Sequence, residues 1–152
     1  EDYDLAFRFH QLGLKVVSVP EVLHFWRDHS RRSSRTLESH ANQEYFRLKL
    51  PWFLEIDRDP QRPLVLWGAG RKGKELAKML AERSVPFRWC CDTPSKWGHH
   101  IYGVRMEDTQ TIETLANPQI LLAVSSPAEQ PAIDSLLRSQ NRKPGLDFFW
   151  FC

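Results

Sequence analysis

The sequence lacks the features that mark several large classes of protein. No apolar run reaches the roughly 18 residues that span a bilayer, so we expect no membrane insertion. The three cysteines, Cys90, Cys91 and Cys152, are odd in number and have no C-x-x-C spacing, which argues against a zinc site or a disulfide framework. A net charge of +2 is too small to indicate a nucleic-acid partner.

The chain begins with EDYDL and has neither an initiator Met nor the basic and apolar regions of a signal peptide. We therefore expect a piece of a longer protein, with a cytoplasmic location as the default. Its 152 residues, 41% hydrophobic and 26% charged, suit one or two small globular domains. The segment DRDPQRP concentrates prolines and charges, so we predict domains at 1–57 and 63–152 joined by a linker at 58–62.

The second part alternates strand-like and helix-like segments, which predicts an α/β fold with a parallel sheet and crossover helices. The expected strands are LVLWG, PFRWCCD, QILLAVSS and LDFFWFC. The expected helices are RKGKELAKMLAERS, a short one around 108–116, and one from about Pro127 to Ser139. The last strand finishes the sheet at Phe148–Phe151, and a free edge there would allow pairing with a second chain, so a homodimer stays open.

The most informative stretch is VLWGAGRKGKELAKML, in which Gly68, Gly70 and Gly73 separate a strand from a helix. These glycines fit the pattern G-x-G-x-x-G: the first permits a tight turn, the second admits a close ligand, and the third lets helix pack on strand. Backbone N–H groups and the helix dipole at such a turn favour a phosphate. The alternative is a purely structural strand-to-helix turn.

One observation separates these two interpretations. Close approach of a pyrophosphate needs open space over Gly70, whereas a bulky Trp67, Arg71 or Trp97 filling that space would favour a scaffold without a ligand. Arg71 itself is a candidate nucleotide contact, with exposure to water alone as the alternative.

Three further residues lie where ligands of parallel sheets collect. Asp92 ends the second strand, nineteen residues after Gly73, where an acidic side chain commonly binds a ribose hydroxyl; it would otherwise form a turn in DTPS. Ser125 and Ser126 follow the QILLAV strand, where their hydroxyls either bond a ligand or cap the next helix. Capping is the stronger expectation, because Ser is a preferred N-cap and Pro127 a preferred first helical residue.

The segments WGAGRKGKELAKML, CCDTPSKWGHHIYGV and LLAVSSP resemble the small Rossmann-like nucleotide-binding domain of sugar O-acyltransferases of the sialic-acid and bacillosamine type. The resemblance covers most of residues 63–152. It implies binding of a nucleotide or nucleotide-sugar rather than chemistry. The left-handed β-helix repeats of those acyltransferases are missing from this sequence.

The first part reads EDYDLAFRFHQLGLKVVSVPEVLHFWRDHSRRSSRT. Its acidic start and apolar stripe predict a helix ending at Gly13. A bent strand in KVVSVPEVLHFW, a polar loop and a final helix at about 38–56 should follow. This order resembles the tail of the catalytic domain of a family 2 glycosyltransferase.

That resemblance implies an inverting transfer of a sugar from a nucleotide-sugar donor. Asp2 matches the general base of the ED motif, Arg27 a contact to the donor diphosphate, and His29 a contact to the metal or phosphate. The alternatives are a solvated arginine-rich loop and an ordinary loop histidine. A divalent ion, Mg²⁺ or Mn²⁺, is implied for the full-length parent, with none assigned to this chain.

The nucleotide-binding half and the D-x-D motif of such enzymes are not present, since DRD at 57–59 lies in the predicted linker. We therefore expect the isolated chain to be inactive, as the end of a glycosyltransferase with an appended nucleotide-binding domain. Two alternatives stay open: a ligand-free scaffold or protein-interaction domain, and a fragment of an NAD(P)-binding oxidoreductase.

Overall fold

The computed structural model describes residues 2–25, 27, 29 and 45–152, with side chains from Asp4 onward. The chain divides into two compact units, Glu1–Ile56 and Asp57–Cys152. Within the described residues, no helix is long and apolar enough to cross a bilayer.

The first unit contains two helices in its described part. Helix α1, Asp2–Gln11, ends as predicted at Gly13, whose φ of +67° is the left-handed conformation that closes many helices. Helix α2, Tyr45–Trp52, continues into a π-helical turn at Phe53–Asp57. The predicted final helix is thus observed from residue 45, and residues 38–44 lie outside the described part.

The bent strand predicted for KVVSVPEVLHF is wrong for the residues that the structure describes. Residues 14–25 form no strand, and their apolar side chains are open to solvent; Val16 is 85% and Phe25 87% exposed. A strand is completed by hydrogen bonds to a neighbour, and no described strand lies beside this segment. A composition rich in residues that favour strands was therefore not sufficient to form a strand here.

The second unit is built on a six-stranded sheet of order β3-β4-β2-β1-β5-β6. Every neighbouring pair is parallel except the β3–β4 hairpin. The strands are β1 Leu64–Trp67, β2 Arg88–Cys91, β3 His100–Ile101, β4 Val104–Asp108, β5 Gln119–Leu122 and β6 Phe148–Trp150. This α/β architecture with its mostly parallel sheet confirms the predicted Rossmann-like fold class.

Helices and short 3₁₀ turns connect the strands. Helix α3, Arg71–Glu82, joins β1 to β2 and buries Leu76, Ala77 and Leu80 on one side. Helix α4, Gln130–Ser139, joins β5 to β6. The short helix predicted around 108–116 is a 3₁₀ helix at Thr109–Thr114.

One face of the sheet forms a continuous apolar core with the 3₁₀ helix and α4. Side chains of a strand alternate between faces, so Val65 and Trp67 of β1 contribute to this core while Leu66 points away. The cluster is Val65, Trp67, Cys90, Ile112, Ile120, Leu122, Val124, Ile133, Leu137 and Phe148.

The hairpin β3–β4 was not predicted, because its residues HHIYGVRMED are mostly polar. A two-residue turn at Tyr102 and Gly103 closes it, with φ values of +52° and +77°, as tight hairpin turns require. Strand β4 then pairs with β2. The hairpin therefore extends the sheet beyond the strands that periodicity revealed.

Residues 58–62, predicted as a linker, belong to the second unit and bind its sheet. The Arg62 guanidinium donates to the Asp147 carboxylate at 2.7 Å and to three backbone carbonyls. The Gln119 side chain, 1% exposed, donates to the Asp57 carbonyl at 2.7 Å. Charged side chains of this segment thus attach it to the second unit.

Candidate functional site

The glycine turn follows β1 at the point where the strand order of the sheet reverses. Strands β2 and β4 lie on one side of β1, and β5 and β6 on the other. In open parallel sheets, ligands bind at the carboxyl ends of the strands beside this reversal. Gly68 occupies that position, with a backbone φ of +124°.

Packing requires two of the three glycines. A Cβ on Gly68 would lie 2.8 Å from the Ala123 carbonyl oxygen, and one on Gly73 would lie 2.0 Å from the Gly68 carbonyl oxygen. Real Cβ atoms essentially never approach within 3.0 Å of such atoms. These two glycines therefore allow close contact among β1, β5 and α3.

Gly70 differs from both, because a Cβ there would meet nothing within 4 Å beyond its chain neighbours. It precedes helix α3, whose first backbone bond runs from the Lys74 N–H to the Gly70 carbonyl, and no side chain caps the N-terminus of this helix. The N–H groups of a first helical turn have no intrahelical acceptor. They therefore border an open space.

The bulky side chains that could have filled this space do not line it. The Trp67 indole N–H donates to Asp92, and the Trp97 indole N–H donates to the Cys91 carbonyl oxygen at 2.8 Å. Arg71 is exposed and does not line the cleft beside the turn. The turn is therefore open, which favours the ligand-binding interpretation.

A cleft of about 200 Å³ lies against the glycine turn. It brings together four predicted residues: Gly68, Gly70, Asp92 and Ser125. Of the other predicted contacts, Gly73 packs below the turn and Arg71 lies outside the lining. The complete lining is Gly68–Gly70, Cys91–Thr93, Lys96, Ala123–Ser125 and Glu129.

Asp92 follows strand β2, and its carboxylate already accepts two hydrogen bonds. Oδ2 accepts from the Trp67 indole at 2.7 Å, and Oδ1 accepts from the Thr109 hydroxyl at 3.3 Å. An ionised carboxylate has about four acceptor positions. The side chain can therefore accept further hydrogen bonds from a ligand hydroxyl.

The capping role expected of the Ser125 or Ser126 hydroxyl is wrong. Helix α4 begins at Gln130 rather than near Pro127, and its N-cap is Glu129. A turn precedes it, in which the Ser126 carbonyl accepts from the N–H groups of Glu129 and Gln130. Ser125 is exposed and lines the cleft instead.

Sequence reasoning missed two charged residues of the lining, Lys96 and Glu129. The Lys96 ammonium donates to the Ala69 carbonyl at 3.2 Å and so lies beside the glycine turn. Its position four residues after Asp92 was the available signal. Lys96 supplies positive charge at the turn, and Glu129 supplies a carboxylate on the opposite, β5 side.

A larger cleft of about 380 Å³ lies at the amino ends of β1 and β2. Three arginines line it, but Arg62 pairs with Asp147 and Arg88 pairs with both oxygens of Glu107. These pairs neutralise most of its charge. We therefore assign the candidate site to the smaller cleft at the glycine turn.

The residues predicted in the first unit are less constrained by the structure. Asp2 opens helix α1, and its side chain lies outside the described part. Arg27 and His29 are both exposed. Among the described residues there is no group of three or more His, Cys, Asp or Glu that could hold a metal. The roles of Asp2, Arg27 and His29 stay predictions.

No protein-family model matches the chain, and no curated protein does. Similar solved structures include RSP, a Rex-family repressor, in complex with β-NADH. The identity is 20% and the TM-score 0.44, and the match covers 72% of this chain and 53% of that one. The match to the NADH complex thus spans about half the length of that chain. A second RSP structure has 18% identity, TM-score 0.43 and coverage of 98% and 75% of the two chains.

A third similar structure is UDP-D-quinovosamine 4-dehydrogenase from Vibrio fischeri, with 20% identity and a TM-score of 0.37. It covers 51% of this chain and 70% of that one. Likeness at these levels concerns the chain fold alone. The function is therefore argued from the geometry of the cleft.

Proposed function

We propose that the unit Asp57–Cys152 binds a nucleotide or nucleotide-sugar in the cleft at the glycine turn. The observation that carries this proposal is the open space over Gly70, in a cleft that Asp92 of the neighbouring strand also lines. The two features offer contacts for the two polar parts of a nucleotide. A plain strand-to-helix turn does not require both features.

Each part of the nucleotide has a complementary group. Phosphate oxygens accept from the N–H groups of the first turn of α3, where the helix dipole is positive. The Lys96 ammonium beside Ala69 adds charge, and the Asp92 carboxylate accepts from ribose hydroxyls. Pockets for whole ligands usually measure about 300–1,000 Å³. The cleft of about 200 Å³ suits the phosphate and ribose, with the remainder of the ligand extending outward.

For the first unit, the proposal is the end of the catalytic domain of an inverting family 2 glycosyltransferase. Its support is the sequence resemblance, together with helix α1 beginning at the acidic motif. In the parent enzyme, Asp2 would take the proton of the acceptor hydroxyl, and Arg27 and His29 would lie near the donor diphosphate and its divalent metal. The isolated chain would be inactive, and homodimer formation stays a prediction.

A second candidate function is binding of NAD. The position of Asp92 favours it, because a carboxylate at the end of the second strand suits a free ribose and repels the 2′-phosphate of NADP. A third candidate, a scaffold without a ligand, is consistent with the hydrogen bonds that Asp92 and Lys96 already make within the chain.

Calorimetric titration separates the three candidates. The 152-residue chain is titrated with UDP, UDP-glucose, NAD and NADP, and the titrations are repeated with Gly70→Val. The added side chain projects into the open space without removing any charge. Ser135→Val, at an exposed position of α4, is the matched control with the same new side chain away from the cleft.

The proposal predicts that UDP and UDP-glucose bind the native chain and Ser135→Val, and that Gly70→Val weakens this binding at least about tenfold. Binding of NAD without UDP would establish the second candidate. No binding of any of the four at millimolar concentration would leave the scaffold, and the proposed nucleotide site would be wrong.

A further inference from the structure

Asp92 is held by a buried aromatic side chain from the neighbouring strand. The Trp67 indole N–H lies 2.7 Å from Asp92 Oδ2, and Trp67 is only 4% exposed while Asp92 is exposed. The Trp67 ring belongs to the apolar core, so close packing restrains it. A rigid donor therefore orients a side chain that would otherwise rotate freely in solvent.

The second carboxylate oxygen is held more loosely. Thr109 Oγ1 lies 3.3 Å from Asp92 Oδ1 and also 3.4 Å from Asp108 Oδ1. A hydroxyl has one proton to donate, so these two long contacts share it. Oδ1 is consequently the less engaged oxygen of Asp92, and the bond from Trp67 to Oδ2 restricts the rotation that sets where Oδ1 points.

We propose that Trp67 is a positioning residue that makes the cleft selective for ribonucleotides over their 2′-deoxy counterparts. This inference rests on the proposed nucleotide site. With Oδ2 bound to the indole, Oδ1 is presented to the vicinal hydroxyls of a ribose. Without the indole, Asp92 samples other rotamers and its contact with the hydroxyls is lost in part.

The expected effect follows from the strength of a hydrogen bond to a charged group. Such a bond contributes enough to change affinity by about tenfold. The native chain should thus bind UDP about tenfold more tightly than 2′-deoxy-UDP. Asp92→Ala should remove this preference, and Trp67→Phe, which keeps an aromatic ring but loses the N–H donor, should reduce it to about twofold.

The experiment is calorimetric titration of the native chain, Asp92→Ala and Trp67→Phe with UDP and with 2′-deoxy-UDP. Trp150→Phe is the matched control, because Trp150 packs against the same apolar core but lies on edge strand β6. It should retain the tenfold preference. A general loss of core packing would weaken both ligands equally and leave their ratio unchanged.

The outcomes separate this inference from the proposal beneath it. If the native chain binds neither ligand, the proposed site for a uridine nucleotide is wrong. If it binds both equally, or if Trp67→Phe keeps the native preference, nucleotide binding stands and the role of Trp67 is wrong.

Nuclear magnetic resonance keeps the inference testable if Trp67→Phe does not fold. Asp92→Ala leaves the Trp67 ring in place but removes the acceptor of its indole N–H, so it should shift one tryptophan indole N–H resonance. In the native chain, UDP should shift that same resonance more than 2′-deoxy-UDP does. An indole spectrum unchanged by Asp92→Ala would overturn the inference.

Discussion

Replacing Gly73 by Ala should destabilise the second unit far more than replacing Gly70 by Ala. The Cβ at residue 73 would lie 2.0 Å from the Gly68 carbonyl oxygen, a backbone atom, when 3.0 Å is the practical limit. Helix α3 or the turn must therefore move by about 1 Å. Overpacking of this kind costs about 3 kcal/mol, offset by about 1 kcal/mol from the better helix propensity of Ala, for a net loss of about 2 kcal/mol.

The same substitution at Gly70 meets no such barrier. Its backbone has an ordinary φ of −77°, and the new Cβ contacts nothing within 4 Å beyond its chain neighbours. Ala is a poorer N-cap than Gly, which costs about 0.5 kcal/mol. Two chemically identical changes, three residues apart, should thus differ by about 1.5 kcal/mol.

Amide hydrogen exchange of strand β1 measures this difference. Because the chain has two units, a single unfolding transition would mix them, whereas the β1 amides report the opening of the second unit. Equal protection of these amides in the two variants would refute the packing role assigned to Gly73. Reduced protection in Gly70→Ala alone would contradict the open space over the turn.

Three further predictions concern the rest of the second unit. Arg62→Ala should cost about 2 kcal/mol in the opening free energy reported by the β1 amides, because it leaves the partly buried Asp147 carboxylate without its counter-ion; Arg62→Lys should cost less. Burial raises the pKa of Asp147, but the Lys143 N–H and Arg62 lower it more, so the net pKa lies below its usual value. The stabilisation is present above about pH 4 and lost below it, so Asp147→Asn should flatten the dependence of unfolding free energy on acid pH. Burial raises the pKa of Cys90 to about 12, so at pH 8 Ellman's reagent should modify Cys152 in the folded chain and leave Cys90 unmodified until denaturant is added.

The first strand, the glycine turn and the helix that follows were predictable because each depends on nearby residues. LVLW is a continuous apolar run, the three glycines have the spacing that a close turn requires, and Leu76, Ala77 and Leu80 repeat with helical period. The end of α1 at Gly13 followed in the same way from one residue that favours positive φ. These features need no knowledge of distant parts of the chain.

Other predictions failed or were missed because distant partners decide them. Residues 14–25 have a strand-like composition but no neighbouring strand among the described residues, and the polar hairpin β3–β4 becomes part of the sheet through pairing with β2. Pattern alone cannot supply such partners.

The sequence by itself therefore determined the Rossmann-like class, the position of the glycine turn and the candidate residues Gly68, Gly70, Asp92 and Ser125. Only the tertiary structure decided that the space over Gly70 is open, that Lys96 lies beside the turn and that Trp67 holds Asp92. Trp67 and Asp92 lie 25 positions apart in the chain. They meet because β1 and β2 pair in parallel and bring their carboxyl ends to one edge of the sheet.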